Sequence, residues 1–538
     1  MSDVLAAAGV LVAAGSAAAA ILLSPGRWRS AAMLLALALF PLLILGDQWH
    51  SPQIVDLRDD SARFAALAIA AVAAALLLAI VFRRWSIALP LAIVFALPFR
   101  VPLHAGGDTA NLLVPLYLVI AGGVLAAALG ERQEGGGVPL RKPALRRPLG
   151  SLSGSAPKFP AGDPAALLPW VLAGVVVLYA LQTLYSPDFS KSLQNVCFFF
   201  VPFSLVYALL RDVRWDRKLL VLVLWVVAVE AVAFVIVGSV EYASRSLFWN
   251  DQVIRSNEFH TYFRVNSIFW DPNIYGRYLA LVIVITMSAL LWTKERRTLG
   301  LLTGLVAVLW FGLVPTFSQS SFAALLAGMA VLAALRWSWR WTMGAVGAVA
   351  LLGVLVVVFA GGSSKVSISR LNVDTGGRAN LVSGGTDLFA QRPLWGYGAG
   401  SFPRAYREHA ATKKAPVSVS HTEPVTVAAE QGLIGLLAYA ALLVVALWTM
   451  ASGLFASRAG GAAGGTGPED ALATAGAGGS PAATGPARLT VGRAAVLATF
   501  VALLIHTMAY AGFYEDPITW VLLAVGVSLA TAAVRDAA

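Results

Sequence analysis

Long apolar runs alternate with short polar joints from one end of the chain to the other. Each run is close to the ~20 residues a helix needs to cross roughly 30 Å of hydrocarbon. The pattern predicts helices over about 4–23, 31–46, 63–82, 87–103, 111–130, 166–184, 192–210, 219–240, 273–293, 299–315, 321–335, 341–360, 424–450, 491–510 and 518–534. The expected fold is all-α, a polytopic transmembrane helix bundle of about 12–15 helices. The period-2 alternation of a membrane β-barrel is not visible. The run ALPLAIVFALPF at 88–99 holds Pro90 and Pro98, which predicts a kinked or re-entrant segment.

Composition sharpens this reading. Of 538 residues 58% are hydrophobic and 12% charged, where soluble domains carry roughly 25% charged residues. The segment 4–23 is expected to be a membrane helix and not a signal peptide, because Met-Ser-Asp before it carries no cation. Cys197 is the single cysteine, which excludes disulfides within the chain and multi-cysteine metal sites.

Charge gives the orientation. The basic joints Arg83-Arg84, Arg211/Arg214/Arg217/Lys218, Lys294/Arg296/Arg297 and Arg336/Arg340 are expected in the cytoplasm. The chain then divides into N-terminal membrane helices at 1–130, a basic cytoplasmic linker at 131–165, central helices at 166–360 with an outer loop at 241–272, and a long extracytoplasmic loop at 361–422. A membrane helix at 423–455, a Gly/Ala-rich cytoplasmic linker at 456–488 and C-terminal helices at 489–538 complete it. Neither linker has the composition to build a core, and both are expected to be disordered.

The net charge of +11 is explained by location and calls for no nucleic acid. Against the general rule, cations also gather outside: Arg245, Arg255, Arg264 and Arg277 around the first outer loop, and Lys365, Arg370, Arg378, Arg392, Arg404, Arg407, Lys413 and Lys414 in the long one. The glycines and proline of GGTDLFAQRPLWGYGAGSF, 384–402, predict that part of this loop is ordered. Arginine suits phosphate because its permanently charged planar fork binds oxyanions bidentately. A basic patch beside membrane helices therefore suggests a lipid diphosphate.

In SVSHTEPVTVAAEQGLIGLLAY, 418–439, His421 stands at the seam between loop and helix. A near-neutral imidazole can take a proton from an attacking hydroxyl. Pro424 suits a first helical turn, with Thr422 or Glu423 as cap. Glu430 shares a helix face with Glu423, and an acid at that depth either braces a neighbouring element or meets substrate. His506 and Glu515-Asp516 fall at the last outer turn and could line the same cavity. The chain contains no HExxH, P-loop, GxSxG or dinucleotide fingerprint.

HTEPVTVAAEQGLIGLLAY resembles the signature of the O-antigen ligase and polymerase superfamily, an outer-loop histidine followed by Glu-x-Gly-x-x-Gly. GGRANLVSGGTDLFAQRPLWGYGAGSF, 376–402, resembles the family's preceding arginine, short helix, Pro-Leu-x-Gly and Gly-x-Gly-x-Phe. FRVNSIFWDPNIYGRYL, 263–279, resembles its upstream Arg-x-x-Ser/Gly-x-Phe-x-x-Pro-Asn. The resemblance spans about 260–450, with the three motifs in family order.

It implies a glycosyltransferase of the bacterial cytoplasmic membrane with its site facing outside. Such an enzyme moves glycan from a polyprenyl diphosphate carrier, such as undecaprenyl diphosphate, to a glycan or lipid-glycan acceptor hydroxyl, with inversion and with neither metal nor other cofactor. Carried over, His421 would be the base or acceptor-orienting residue and Arg264 and Arg378 diphosphate ligands; Arg404 and Glu430 are further candidates for substrate binding. One departure is FSQSSFAAL, 317–325, where Ser321 replaces the arginine usual in ligases, which tilts the reading from a ligase of lipid A cores towards a polymerase or another branch. Thr422, where asparagine is common, is a lesser one. Two other readings stay open: a metal-dependent membrane glycosyltransferase using Asp59 and Asp60, and a secondary transporter, for which the second half lacks a broken helix matching 88–99.

Overall fold

The computed structural model describes residues 3–105, 108–131, 163–259, 262–348, 378–409, 419–454 and 485–537. Most of the linkers 131–165 and 456–488, part of the span expected at 341–360, and residues 361–377 and 410–418 of the long loop lie outside the described residues. Among the described residues, 11 helices are long and apolar enough to cross a membrane, and Val114–Gly130 and Pro517–Ala533 are shorter apolar helices. The regular structure of the described residues is helical apart from one small hairpin, Val101–Ala105 paired antiparallel with Asp108–Leu112.

Side-chain ties assign several helix ends to one of two faces. At the basal face, Arg29 pairs with Asp212 and Arg211 donates to the carbonyls of Ile21 and Leu23. Arg336 donates to the Leu291 carbonyl, Arg493 to that of Ser452, and Ser528 to that of Val213. At the opposite face, Ser190 and Gln194 donate to Asp47, Tyr185 to the Trp395 carbonyl and Thr422 to that of Met508. The helices therefore alternate direction through one bundle, as an up-and-down membrane fold requires.

Proline explains two irregularities. The run expected at 87–103 is only a half-helix, Ala88–Ala96, because Pro98 has no N–H to donate to the preceding turn. The chain then turns through Arg100 into the hairpin, which the apolar pattern did not predict. In the helix spanning Phe189–Leu210, a π-helical stretch at Val196–Phe200 precedes Pro202. Pro202 has no N–H for the carbonyl of Phe198, and the Tyr117 hydroxyl donates to it at 2.8 Å.

Candidate active site

The upstream motif, FRVNSIFWDPN, builds an arginine mount. Glu241, near the end of helix Arg217–Ser244, accepts the N–H groups of Asn266 at 3.1 Å and Ser267 at 2.7 Å. Ser267 takes a left-handed backbone, φ 53°, which accounts for a small residue there. Phe269 is buried and stacks on Tyr275 with ring centroids 5.6 Å apart. Asp271 caps helix Pro272–Trp292 by accepting the Asn273 N–H at 2.6 Å. Asn273 in turn accepts from Arg264 Nη2 at 3.1 Å, and Arg264 Nε donates to the Thr316 carbonyl at 2.9 Å. The motif's first and last residues thus meet, and the guanidinium is aimed with Nη1 unbonded among the described residues.

The central motif is a backbone-on-backbone joint. Helix Glu423–Ala451 breaks at Gly432, φ 65° and ψ −162°. The freed backbone binds the glycine loop: Leu433 N–H donates to the Pro393 carbonyl at 2.7 Å and Gly398 N–H to that of Glu430 at 2.7 Å. A Cβ on Gly396 would lie 2.3 Å from the Glu430 carbonyl oxygen, and one on Gly432 2.4 Å from that of Leu394. Only glycine permits this approach.

Sequence reasoning offers Glu430 and Arg404 as substrate ligands, and the structure gives both other partners. The buried Glu430 carboxylate accepts Gly400 N–H at 2.8 Å and Phe402 N–H at 3.0 Å, so it clamps the glycine loop to the broken helix. Arg404 is half-exposed and pairs with Glu408 at 2.9 Å while donating to the Pro187 carbonyl. Replacing Glu430 by glutamine sets an amide N–H against a backbone N–H. The expected result is a loss of about 1–3 kcal/mol of stability, read as a lower Tm with KM unchanged in the folded fraction. A raised KM at unchanged Tm would return Glu430 to the substrate.

At the seam, Thr422 occupies the N-cap position of helix Glu423–Ala451 but makes no side-chain cap bond; its hydroxyl goes to the Met508 carbonyl at 3.1 Å. Glu423 accepts Gly512 N–H at 2.7 Å and Phe513 N–H at 3.1 Å, tying this helix to the last turn at the same face. His421 lies between, half-buried, with φ 63°. Such a backbone in a non-glycine residue costs on the order of 1–3 kcal/mol and is tolerated where surrounding contacts over-determine it.

Arg378 acts on this histidine, and further arginines gather around the neighbouring Tyr510. The His421 ring lies 6.2 Å from Tyr510, and Tyr510 5.7 Å from His506, centroid to centroid. Burial pulls the His421 pKa below its ordinary value, the Arg378 guanidinium pulls it further, and Asp271 opposes. Tyr510 is pushed up by burial and by Asp271, against the cations of Arg277, Arg100 and Arg378. Arg264 feels Asp271, Arg378 and Tyr510. Below them Arg277 forms a buried ion pair with Asp516 at 2.9 Å, and His506 meets Ser320 at 3.2 Å. Arg378, at the start of helix Arg378–Gln391, has no ion pair or hydrogen bond among the described residues.

Arg264, Arg378 and His421 are therefore brought together, with His506 and Asp516 behind them. Arg100, Asp271 and Tyr510 were missed. Arg100 had a signal, as the sole charge between Arg84 and Asp108 at the end of a proline-broken apolar run. Tyr510 had none. Ser321 is fully buried, bonded to Ser318 at 2.7 Å and to the Asn273 carbonyl at 3.3 Å, and a Cβ on the facing Gly276 would lie 2.7 Å from its hydroxyl. That knot has no room for an arginine. Asp60, one of the alternative metal ligands, caps helix Ser61–Arg84 by accepting the Arg63 N–H at 3.0 Å.

The fold is that of a many-helix membrane protein with a histidine, a tyrosine and several arginines clustered at one face. Residues 304–440 match the family described as O-antigen ligase, so the chain carries an O-antigen ligase domain within a multi-pass membrane protein. The matched stretch contains Ser321, Arg378, His421 and Glu430, and Arg264 lies upstream of it. No curated protein matches the chain.

Proposed function

We propose that this enzyme transfers or polymerises glycan from a polyprenyl-diphosphate-linked donor onto an acceptor hydroxyl at the extracytoplasmic face, with inversion and without metal. The observation that carries the reading is the cluster of Arg264, Arg378, Arg277 and Arg100 around Tyr510, whose ring lies 6.2 Å from that of His421. Orientation follows from the basal face, where Arg83, Arg84, Arg214, Arg217, Lys218, Lys294, Arg296 and Arg297 gather. Short basic joints stay in the cytoplasm, which turns the His421 face outward.

The chemistry follows from charge. The acceptor O–H attacks the anomeric carbon, its proton passes to the neutral His421 imidazole, and the bond from that carbon to the diphosphate oxygen breaks. The leaving polyprenyl diphosphate keeps the electron pair, and the arginines neutralise the charge as it develops. Arg264 is pre-aimed by Asn273 and Thr316, whereas Arg378 is free to close on the diphosphate. Ser321 in its serine knot favours the polymerase branch over transfer to a lipid A core.

Purified protein given a lipid-linked glycan and acceptor tests the reading, and its pH profile tests the base. A base works unprotonated, and His421 is held below the ordinary histidine value near 6.5. Activity should therefore stay on its plateau as pH falls through 6.5 and drop only at lower pH. An acidic limb centred above 6.5 would contradict a depressed His421 as the base.

A further inference from the structure

A second site lies at the basal face. A cavity of ≈ 1930 Å³ runs between helices Arg217–Ser244, Pro272–Trp292, Arg296–Leu313, Gly485–Thr507 and Pro517–Ala537, walled by Leu224, Leu281, Ile285, Val496, Leu522 and Val525. Drug-sized pockets measure roughly 300–1,000 Å³. A void of this size with apolar walls is neither left empty nor stably filled with water, because protein interiors are close-packed and internal waters need polar partners. In a membrane, lipid chains fill it.

The mouth identifies which lipid. It is rimmed by Arg214, Arg217 and Lys294, beside Trp215 and Trp292. The carboxylates there are engaged elsewhere: Asp212 with Arg29 and Arg211, Asp216 with the Leu219 N–H at 2.9 Å, and Glu295 with the Thr298 hydroxyl at 2.8 Å. Arg214, Arg217 and Lys294 thus have no carboxylate partner among the described residues. Cations between helix ends beside tryptophan match the phosphate and interface level of a bilayer leaflet. At its far end the cavity shares Leu97, Tyr278 and Ile518 with a space of only ≈ 20 Å³ that reaches Arg100 and Arg277. That is room for about one water, so a chain anchored at the arginine cluster meets a constriction there.

We infer that this cavity binds an anionic phospholipid of the basal leaflet, with its phosphate on Arg214, Arg217 and Lys294 and its acyl chains between the helices. The inference stands on the bundle and the rim and is independent of the reaction assigned to His421.

The test uses the full-length protein purified in mild detergent, with retained lipids extracted and quantified by mass spectrometry. Nanodiscs of phosphatidylglycerol and of phosphatidylcholine then supply Tm values. Wild type should retain anionic phospholipid enriched over the source membrane and show a higher Tm in phosphatidylglycerol. The triple variant Arg214→Gln/Arg217→Gln/Lys294→Gln should weaken retention on the order of a hundredfold, at about fivefold per cation. A cavity-filling Leu224→Trp should lower retention with the cations intact. Equal enrichment in wild type and triple variant, or a retained polyprenyl lipid in place of phospholipid, would overturn the inference.

Discussion

His421→Ala should reduce glycan transfer by roughly 10²–10⁴-fold, the usual contribution of a positioned general base. The loss belongs in kcat, because the arginines that hold the donor remain. Stability should not fall with it: His421 sits half-exposed at a left-handed position, and its replacement removes no buried hydrogen bond among the described residues. His421→Gly relieves the backbone strain and should be at least as stable as wild type, yet equally inactive. Measuring Tm and single-turnover rate on the same preparations separates chemistry from folding. Either variant at the wild-type rate would remove His421 from the mechanism.

Arg378→Ala should lower kcat by about 10²–10³-fold, as removal of one preorganised charge from a developing anion does elsewhere. Arg378→Lys should recover only part of it, since an ammonium cannot present the planar fork that grips a diphosphate. Arg264→Ala should be as inactive but less stable, because Arg264 joins the loop before helix Pro272–Trp292 to the Thr316 carbonyl. The contrast is diagnostic: on the proposed mechanism Arg378 acts on the ligand alone, and Arg264 on ligand and fold together. An Arg378→Ala enzyme with unchanged kcat and KM would show that the diphosphate is held elsewhere.

The bundle was legible because a membrane helix is specified by one local property, a run of apolar residues, and the spans follow the predicted boundaries closely. Among the described spans the exception, 87–103, failed at Pro98, where half a helix gives way to a hairpin whose strands are too short to carry a pattern, and 341–360 lies mostly outside the described residues. Arg264, Arg378 and His421 were legible as candidates because each sits in a motif, and in the upstream one Asn273 helps to build the mount of Arg264. Glu430 was legible as special but ambiguous in role. Sequence spacing gives a depth in the membrane, whereas the two N–H groups it accepts come from a loop some thirty residues earlier. Tyr510 and the Arg277–Asp516 pair come from helices remote in sequence and meet only in the folded bundle.

The central claim is covalent transfer from a lipid diphosphate at the arginine and histidine face. The direct measurement is product analysis by mass spectrometry after incubating reconstituted protein with a lipid-linked oligosaccharide and its acceptor. The predicted result is glycan joined to acceptor with inverted anomeric configuration, one free polyprenyl diphosphate per bond formed, and the same yield with EDTA present. Movement of intact lipid-linked glycan across the bilayer with no new glycosidic bond, or transfer abolished by EDTA, would contradict it.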